Sequence, residues 1–182
     1  MRQILVFFFL LSAFSMTSDA AWDPIKKSRD PDTGASQKTI VALEAFKKIP
    51  ELQPFFEQAD GFAVFPNVAK AGIGIGGAGG KGEVFQNAKV IGSTSLKQIS
   101  IGFQLGGQAF MEIIFFKEQR DTDRFTEGNF EFGAQASAVL IKQGVSVETA
   151  YSNGIAVFTI AKGGLMYEAS IGGQKFRFES YE

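Results

Sequence analysis

The chain has 182 residues, 45% of them hydrophobic and 20% charged, which suits one globular domain with a substantial core. Its formal net charge is −1 and its pI about 5.6, so no global basic field points to nucleic acid and a charged partner has to be met by a local patch. The sequence contains no Cys and no His, which removes thiolate nucleophiles, Ser-His-Asp triads, c-type haem and nearly every zinc, copper or iron site.

Residues 1–20 read as a secretory signal peptide: Arg2 supplies the positive start, 4–14 the apolar run, and Ser18-Asp19-Ala20 a small-x-small cleavage site. The run is too short to span a bilayer, and no Cys follows it to be acylated. The mature protein is expected to begin near Ala21 or Trp22, in a periplasm or outside the cell. Residues 21–35 have the composition of a flexible leader, with Pro24, Pro31, Asp30, Asp32 and Gly34 beside the basic Lys26, Lys27 and Arg29.

A helix is predicted over 36–48. Ser36 can cap it, Ile40, Leu43, Phe46 and Ile49 form an apolar stripe, and Lys47 and Lys48 sit where the helix dipole favours cations. Pro50 stops it, and a shorter helix over 51–58 carries Phe55 and Phe56. Such helices pack as a lid on a sheet; in a functional reading, Lys38, Lys47 and Lys48 join exposed aromatics in a membrane-facing surface.

Between strands expected at 62–65 and 83–86 runs Ala71-Gly-Ile-Gly-Ile-Gly-Gly-Ala-Gly-Gly-Lys-Gly82, with glycines at Gly72, Gly74, Gly76, Gly77, Gly79, Gly80 and Gly82. The G-x-G-x-x-G frame fits three times over, which shows how little one match means, and no helix follows to face a pyrophosphate. A P-loop frame ending at Gly80-Lys81 needs Gly at Ile75 and Ser or Thr at Gly82. Two uses stay open: a strand and turn that bends a small closed sheet, or a backbone that approaches a ligand.

From 98 to 116 every odd position is apolar or Gly, and this parity is unbroken across Gly106-Gly107. A two-residue hairpin there would break it, so one long strand bent at its glycines is predicted, as in a barrel or curled sandwich. The polar stretch 117–127 holds a short helix; its Asp121 and Asp123 lack the calcium-loop pattern, because Phe125 and Thr126 occupy the next key positions. In the C-terminal third, turn signals at Lys142-Gln-Gly, Ser152-Asn-Gly, Lys162-Gly-Gly and Gly172-Gly separate alternating segments, the pattern of an antiparallel meander.

Gly61-Phe-Ala-Val-Phe-Pro-Asn-Val-Ala-Lys-Ala-Gly72, the glycine run through Lys81-Gly82, and Ile101-Gly-Phe-Gln-Leu-Gly-Gly-Gln-Ala-Phe-Met-Glu-Ile-Ile-Phe-Phe116 together resemble the SYLF lipid-binding domain family. The likeness runs from about Ser36 to the C-terminus. It implies binding of anionic phospholipids, notably phosphoinositides in eukaryotic members, a role in actin organisation in some, and no catalysis. Carried onto this sequence, it makes Lys70 and Lys81 candidate headgroup cations flanking the glycines Gly72 to Gly82, with the helix bearing Lys38, Lys47 and Lys48 as a second basic element. For a secreted bacterial member, bulk anionic phospholipid is the more sensible target.

The expected architecture is α+β: N-terminal helices packed on a curved, mainly antiparallel β-barrel or β-sandwich, as a single domain over 36–182. The expected function is non-enzymatic, peripheral binding of an anionic membrane surface, with no cofactor and no metal. One rival is an envelope structural or protein-interaction module without a lipid ligand. Another is a hydrolase using a carboxylate such as Glu112, which would need a second buried acid paired across the sheet.

Overall fold

Ser36 starts the first helix as its position predicts: its hydroxyl accepts a hydrogen bond from the Thr39 amide and caps α1 (Gln37–Lys47), with Thr39, Ala42, Leu43 and Phe46 buried. Pro50 opens a 3-10 turn, Pro50–Leu52, that leads into α2 (Gln53–Gln58). The computed structural model describes residues 29–132, 150–161, 164–165 and 173–181.

The rest is organised by one hairpin. Strand β1 (Gly61–Gln86) has 26 residues and β2 (Lys89–Phe116) has 28, paired antiparallel from Gly61↔Phe116 to Gln86↔Lys89. The two strands expected at 62–65 and 83–86 are therefore the ends of a single strand, and the long strand predicted from 98 is longer still. Asn87 and Ala88 make the turn with φ of 51° and 62°, the left-handed pair of a type I′ hairpin. At about 3.3 Å per residue such a strand would reach about 90 Å if straight, so it has to bend. It does so where Gly72 and Gly74 face Gly106 and Gly102, a register irregularity that sets three residues of β2 against one of β1.

The bend folds β1 back over itself. A Cβ added at Gly80 would lie 2.8 Å from the Asn67 carbonyl oxygen, and one at Gly82 would lie 2.5 Å from that of Val64. Backbone meets backbone there, and only glycine admits it. A Cβ at Gly77 or Gly79 would meet nothing closer than 3.6 Å and 3.5 Å respectively, an ordinary contact. The glycine run is thus a paired and curled strand. Along one side its backbone groups go into the ladder with β2, so the run is a strand along its whole length.

Helix α3 (Gln119–Thr126) follows as predicted, opened by a capping box between Glu118 and Asp121. Strands β3 (Asn129–Phe132), β4 (Ile155–Ala161), β5 (Gly164–Leu165) and β6 (Gln174–Ser180) complete an antiparallel sheet in the order β3-β6-β2-β4-β5, with β1 on β2. They do not form the expected simple meander. β4 pairs with β2 over 110–116 and β6 pairs with it over 92–98, so the C-terminal strands divide between the two arms of the bent hairpin. The expected turns at 142–144 and 162–163, and the alanine-rich segment from 134, lie outside the described residues.

Both sheet faces are buried along part of their length, which is why 111–116 reads apolar at both parities apart from Glu112. The inner face gathers Ala63, Phe65, Leu96, Ile114, Phe116 and Phe176 with Phe125 of α3. The outer face gathers Val64, Phe85, Ile113, Phe115 and Phe158 beneath Leu43, Phe46 and Phe55 of the helices. Ring centroids stand 4.8 Å apart for Phe55–Phe158 and 4.7 Å for Phe116–Phe125, so many of the 20 phenylalanines are core.

The stretch expected as a flexible leader over 21–35 is anchored where it is described, from Arg29. The Arg29 guanidinium donates to Glu83 Oε1 at 2.8 Å and to the Tyr181 hydroxyl at 2.8 Å, and stacks 4.6 Å from the Tyr181 ring centre. Glu83 also accepts from the Ser36 amide at 2.9 Å. One nearly buried carboxylate thus joins the N-terminal segment, the sheet and the C-terminal end.

Candidate functional site

Strand alternation builds the site. In β6 the run Lys175-Phe-Arg-Phe-Glu179 puts Phe176 into the inner core and turns Lys175, Arg177 and Glu179 to the other face. In β2, Leu96 points inward, so Ser93, Ser95 and Lys97 share that outer face; in β1, Lys81 does so opposite Ser95. Successive rungs read Gly79, Lys97, Lys175, Glu131 and then Lys81, Ser95, Arg177, Asn129. Together they line a hollow of about 410 Å³ that bears Lys81, Lys97, Lys175 and Arg177 against the acids Glu131 and Glu179.

Lys175 is paired with Glu131 at 2.7 Å; Lys81, Lys97 and Arg177 have no ion-pair partner among the described residues. Ile99, one step along the same face from Lys97, is 68% exposed. Ser95 stands between Lys81 and Arg177 in its rung, and Ser93 between Glu83 and Glu179 in a neighbouring one. Chemically this is a shallow, open, cation-rich surface with an apolar border, able to hold phosphate or carboxylate groups by charge-assisted hydrogen bonds.

Of the residues singled out from sequence, Lys81 lies in this hollow. Lys70 does not: it sits within β1 opposite Gln108 and is only 4% exposed. Lys70 and Lys81, read from the sequence as flanking the glycines, both lie within β1, the first buried and the second exposed. Gly79 faces Lys97, Gly80 and Gly82 serve the crossing of β1, and Gly72, Gly74 and Gly76 belong to the bend. Lys38, Lys47 and Lys48 are exposed on the helical layer, outside the lining of the hollow. Their expected exposed aromatic neighbours are not exposed: Phe55 is buried, Phe56 is partly buried against Phe115 at 4.9 Å, and Lys47 lies over the Phe56 ring. Sequence reasoning missed Lys97, Lys175 and Arg177. The alternation of charged and aromatic residues in 175–179 was the signal that could have found two of them.

On the inner face lies a second polar group. Glu112 is 1% exposed; Gln174 Nε2 donates to its Oε2 at 3.2 Å and to Gln98 Oε1 at 3.3 Å. Burial pushes the Glu112 carboxyl up to about 7, and the Gln174 hydrogen bond acts the other way. Its neighbours are amides, and no second acid is paired with it among the described residues, so the arrangement required for a carboxylate hydrolase is not formed there. Asp121, half of the D-x-D pair, is buried, accepts from the Glu118 amide and packs on Gly154.

The described residues thus combine a curled antiparallel sheet, helices on its outer face and a cationic hollow. Residues 97–182 match the family model Ysc84, described as "Las17-binding protein actin regulator", so that this part of the chain is similar to the SYLF (Ysc84) family. The chain is also similar to "Beta cell expansion factor A" of Aeromonas veronii, 26% identical over 136 residues, which is 74% of this chain and 51% of that protein. It thus spans about half the length of the curated relative it matches.

Proposed function

We propose that this chain is a secreted or periplasmic, non-enzymatic domain that binds anionic phospholipid surfaces peripherally, docking through the outer face of β1, β2 and β6. The observation that carries this reading is the hollow itself: Lys81, Lys97 and Arg177 without acidic partners among the described residues, bordered by exposed Ile99. Each cation near a negatively charged membrane contributes about 1 kcal/mol, and an apolar tip at the border adds shallow insertion. The lipid function implied by the SYLF resemblance supports the reading, and so does the signal-like segment 1–20, whose removal near Ala20 would deliver the domain outside the cytoplasm.

A protein partner is the second reading, favoured by the family description, which names binding of the protein Las17. Salt separates the two, because headgroup attraction fades with ionic strength while an apolar interface changes little. The test is co-sedimentation of the chain from Ala21 with vesicles of neutral lipid and of neutral lipid mixed with phosphatidylglycerol, at low and high salt. Binding that needs the anionic lipid and falls with salt supports the proposal. Indifference to every composition removes it.

A further inference from the structure

The rung that holds Lys97 opposite Lys175 is followed by Gln98 opposite Gln174, the last rung of that ladder and the first residue of β6. Side chains alternate, so the two lysines point into the hollow and the two glutamines point inward, directly behind them. The Gln174 amide joins Gln98 to Glu112, residues of β2 that the bend has brought together from its two arms. One carboxyl therefore ties both arms of β2 to the end of β6.

What it meets there depends on its proton. As a neutral acid, Glu112 fits an interior shared with Phe65, Ile114 and Phe176. As a carboxylate it is a buried charge holding one N–H, while its Oε1, Gln98 Nε2 and Thr94 Oγ1 have no partner among the described residues. Such a charge draws in water, and a ladder frays first at its end, here Gln174. Of the charged groups on the surrounding elements, β1 contributes buried Lys70 and α3 contributes Asp121 and Arg124, which pair with each other at 3.9 Å. β4 carries no charged residue, and Glu131, Lys175, Arg177 and Glu179 of β3 and β6 line the outer hollow.

We propose that Glu112 is a proton-operated control on the cationic face: protonated, it keeps the β2–β6 rung closed and Lys97 beside Lys175; ionised, it opens that rung and disperses them. This rests on the reading of the outer face as an anion-binding surface. The position of the carboxyl's titration near neutrality supports it, and with no His and no Cys in the chain few other side chains change charge there.

The test uses the chain from Ala21, its Glu112→Gln variant, and Glu112→Leu in case the amide does not fold. Two quantities are read at about pH 5.5 and about pH 8.5: amide exchange of 174–178, corrected for the intrinsic rate, and binding to vesicles containing phosphatidylglycerol, whose charge is constant over this range. The expected result is exchange about tenfold faster and binding about threefold weaker at the higher pH in the native chain, with both profiles flat in the variants. Equal protection at both pH values, or a pH dependence that survives Glu112→Gln, overturns the proposal. Exchange that opens with pH while vesicles are ignored at both values refutes the anion-surface reading and leaves the rung intact. Binding that is retained with no change in exchange does the reverse.

Discussion

Lys97 and Lys175 stand directly opposite one another on neighbouring antiparallel strands, like charges about 5 Å apart at the backbone. Such a pair opposes strand pairing, and Glu131 answers only one of the two. On the proposed function, an anion shared between them offsets the repulsion. Reversing two charges of the face, Lys97→Glu with Arg177→Glu, is expected to weaken binding to anionic vesicles by about thirtyfold or more. Lys47→Glu with Lys48→Glu, on the helical layer, should cost much less. Vesicle titration of both variants, with circular dichroism to confirm folding, checks the assignment.

Lys70→Glu and Lys81→Glu should part company. Lys81 is exposed, so its reversal should leave the melting temperature nearly unchanged and reduce vesicle binding. Lys70 is buried within β1, so its reversal places a new charge in the interior and should cost about 3 kcal/mol or more. Thermal melts of the two single variants decide it; equal melting temperatures would return Lys70 to the surface.

Stability should fall as pH rises from about 4.5 to about 7 and level off above it. Glu112 has its carboxyl raised from 4.5 to about 7. Below the unfolded value both states carry the proton and the native state is fully stable; as pH rises toward about 7 the unfolded chain releases its proton first, and stability is lost. The loss amounts to at most about 3 kcal/mol. Denaturant melts from about pH 4.5 to about pH 8 should show this decline in the native chain and a flat profile in Glu112→Gln.

The glycines should divide by position. Gly82→Ala has to push the Val64 carbonyl aside and is expected to cost about 2 kcal/mol or more, whereas Gly79→Ala, with space around its Cβ, should be neutral or mildly stabilising. If all the glycines proved equally intolerant, the crossing of β1 would not be the reason for them. At the hairpin, Ala88 holds φ 62° and Ala88→Gly should stabilise by about 1 kcal/mol, measured by the denaturation midpoint.

Much of this fold was legible because its signals are local. Ser36 and Pro50 bounded the first helix, the polar stretch 117–127 marked α3, and unbroken parity across Gly106-Gly107 showed that the strand runs through its glycines, though not how far it extends before residue 98. What stayed hidden depends on contacts distant in sequence. Nothing near Gly82 says that Val64 will cross it, and a glycine-rich run reads equally as a loop until its partner strand is known. The cationic face was split over β1, β2 and β6, and no window of sequence holds Lys81, Lys97 and Arg177 together. Lys70 misled because burial of a lysine is decided by what curls around it.

Arg29 and Tyr181, the first and last described residues, meet at Glu83, so the two ends of the described chain are neighbours in space. The 26- and 28-residue strands between them turn at a single exposed point, Asn87-Ala88. Chain order is therefore separable from architecture. A circular permutant that joins the ends with a short linker and opens at 87–88 keeps every strand pairing, and exchanges a covalent turn for a covalent latch.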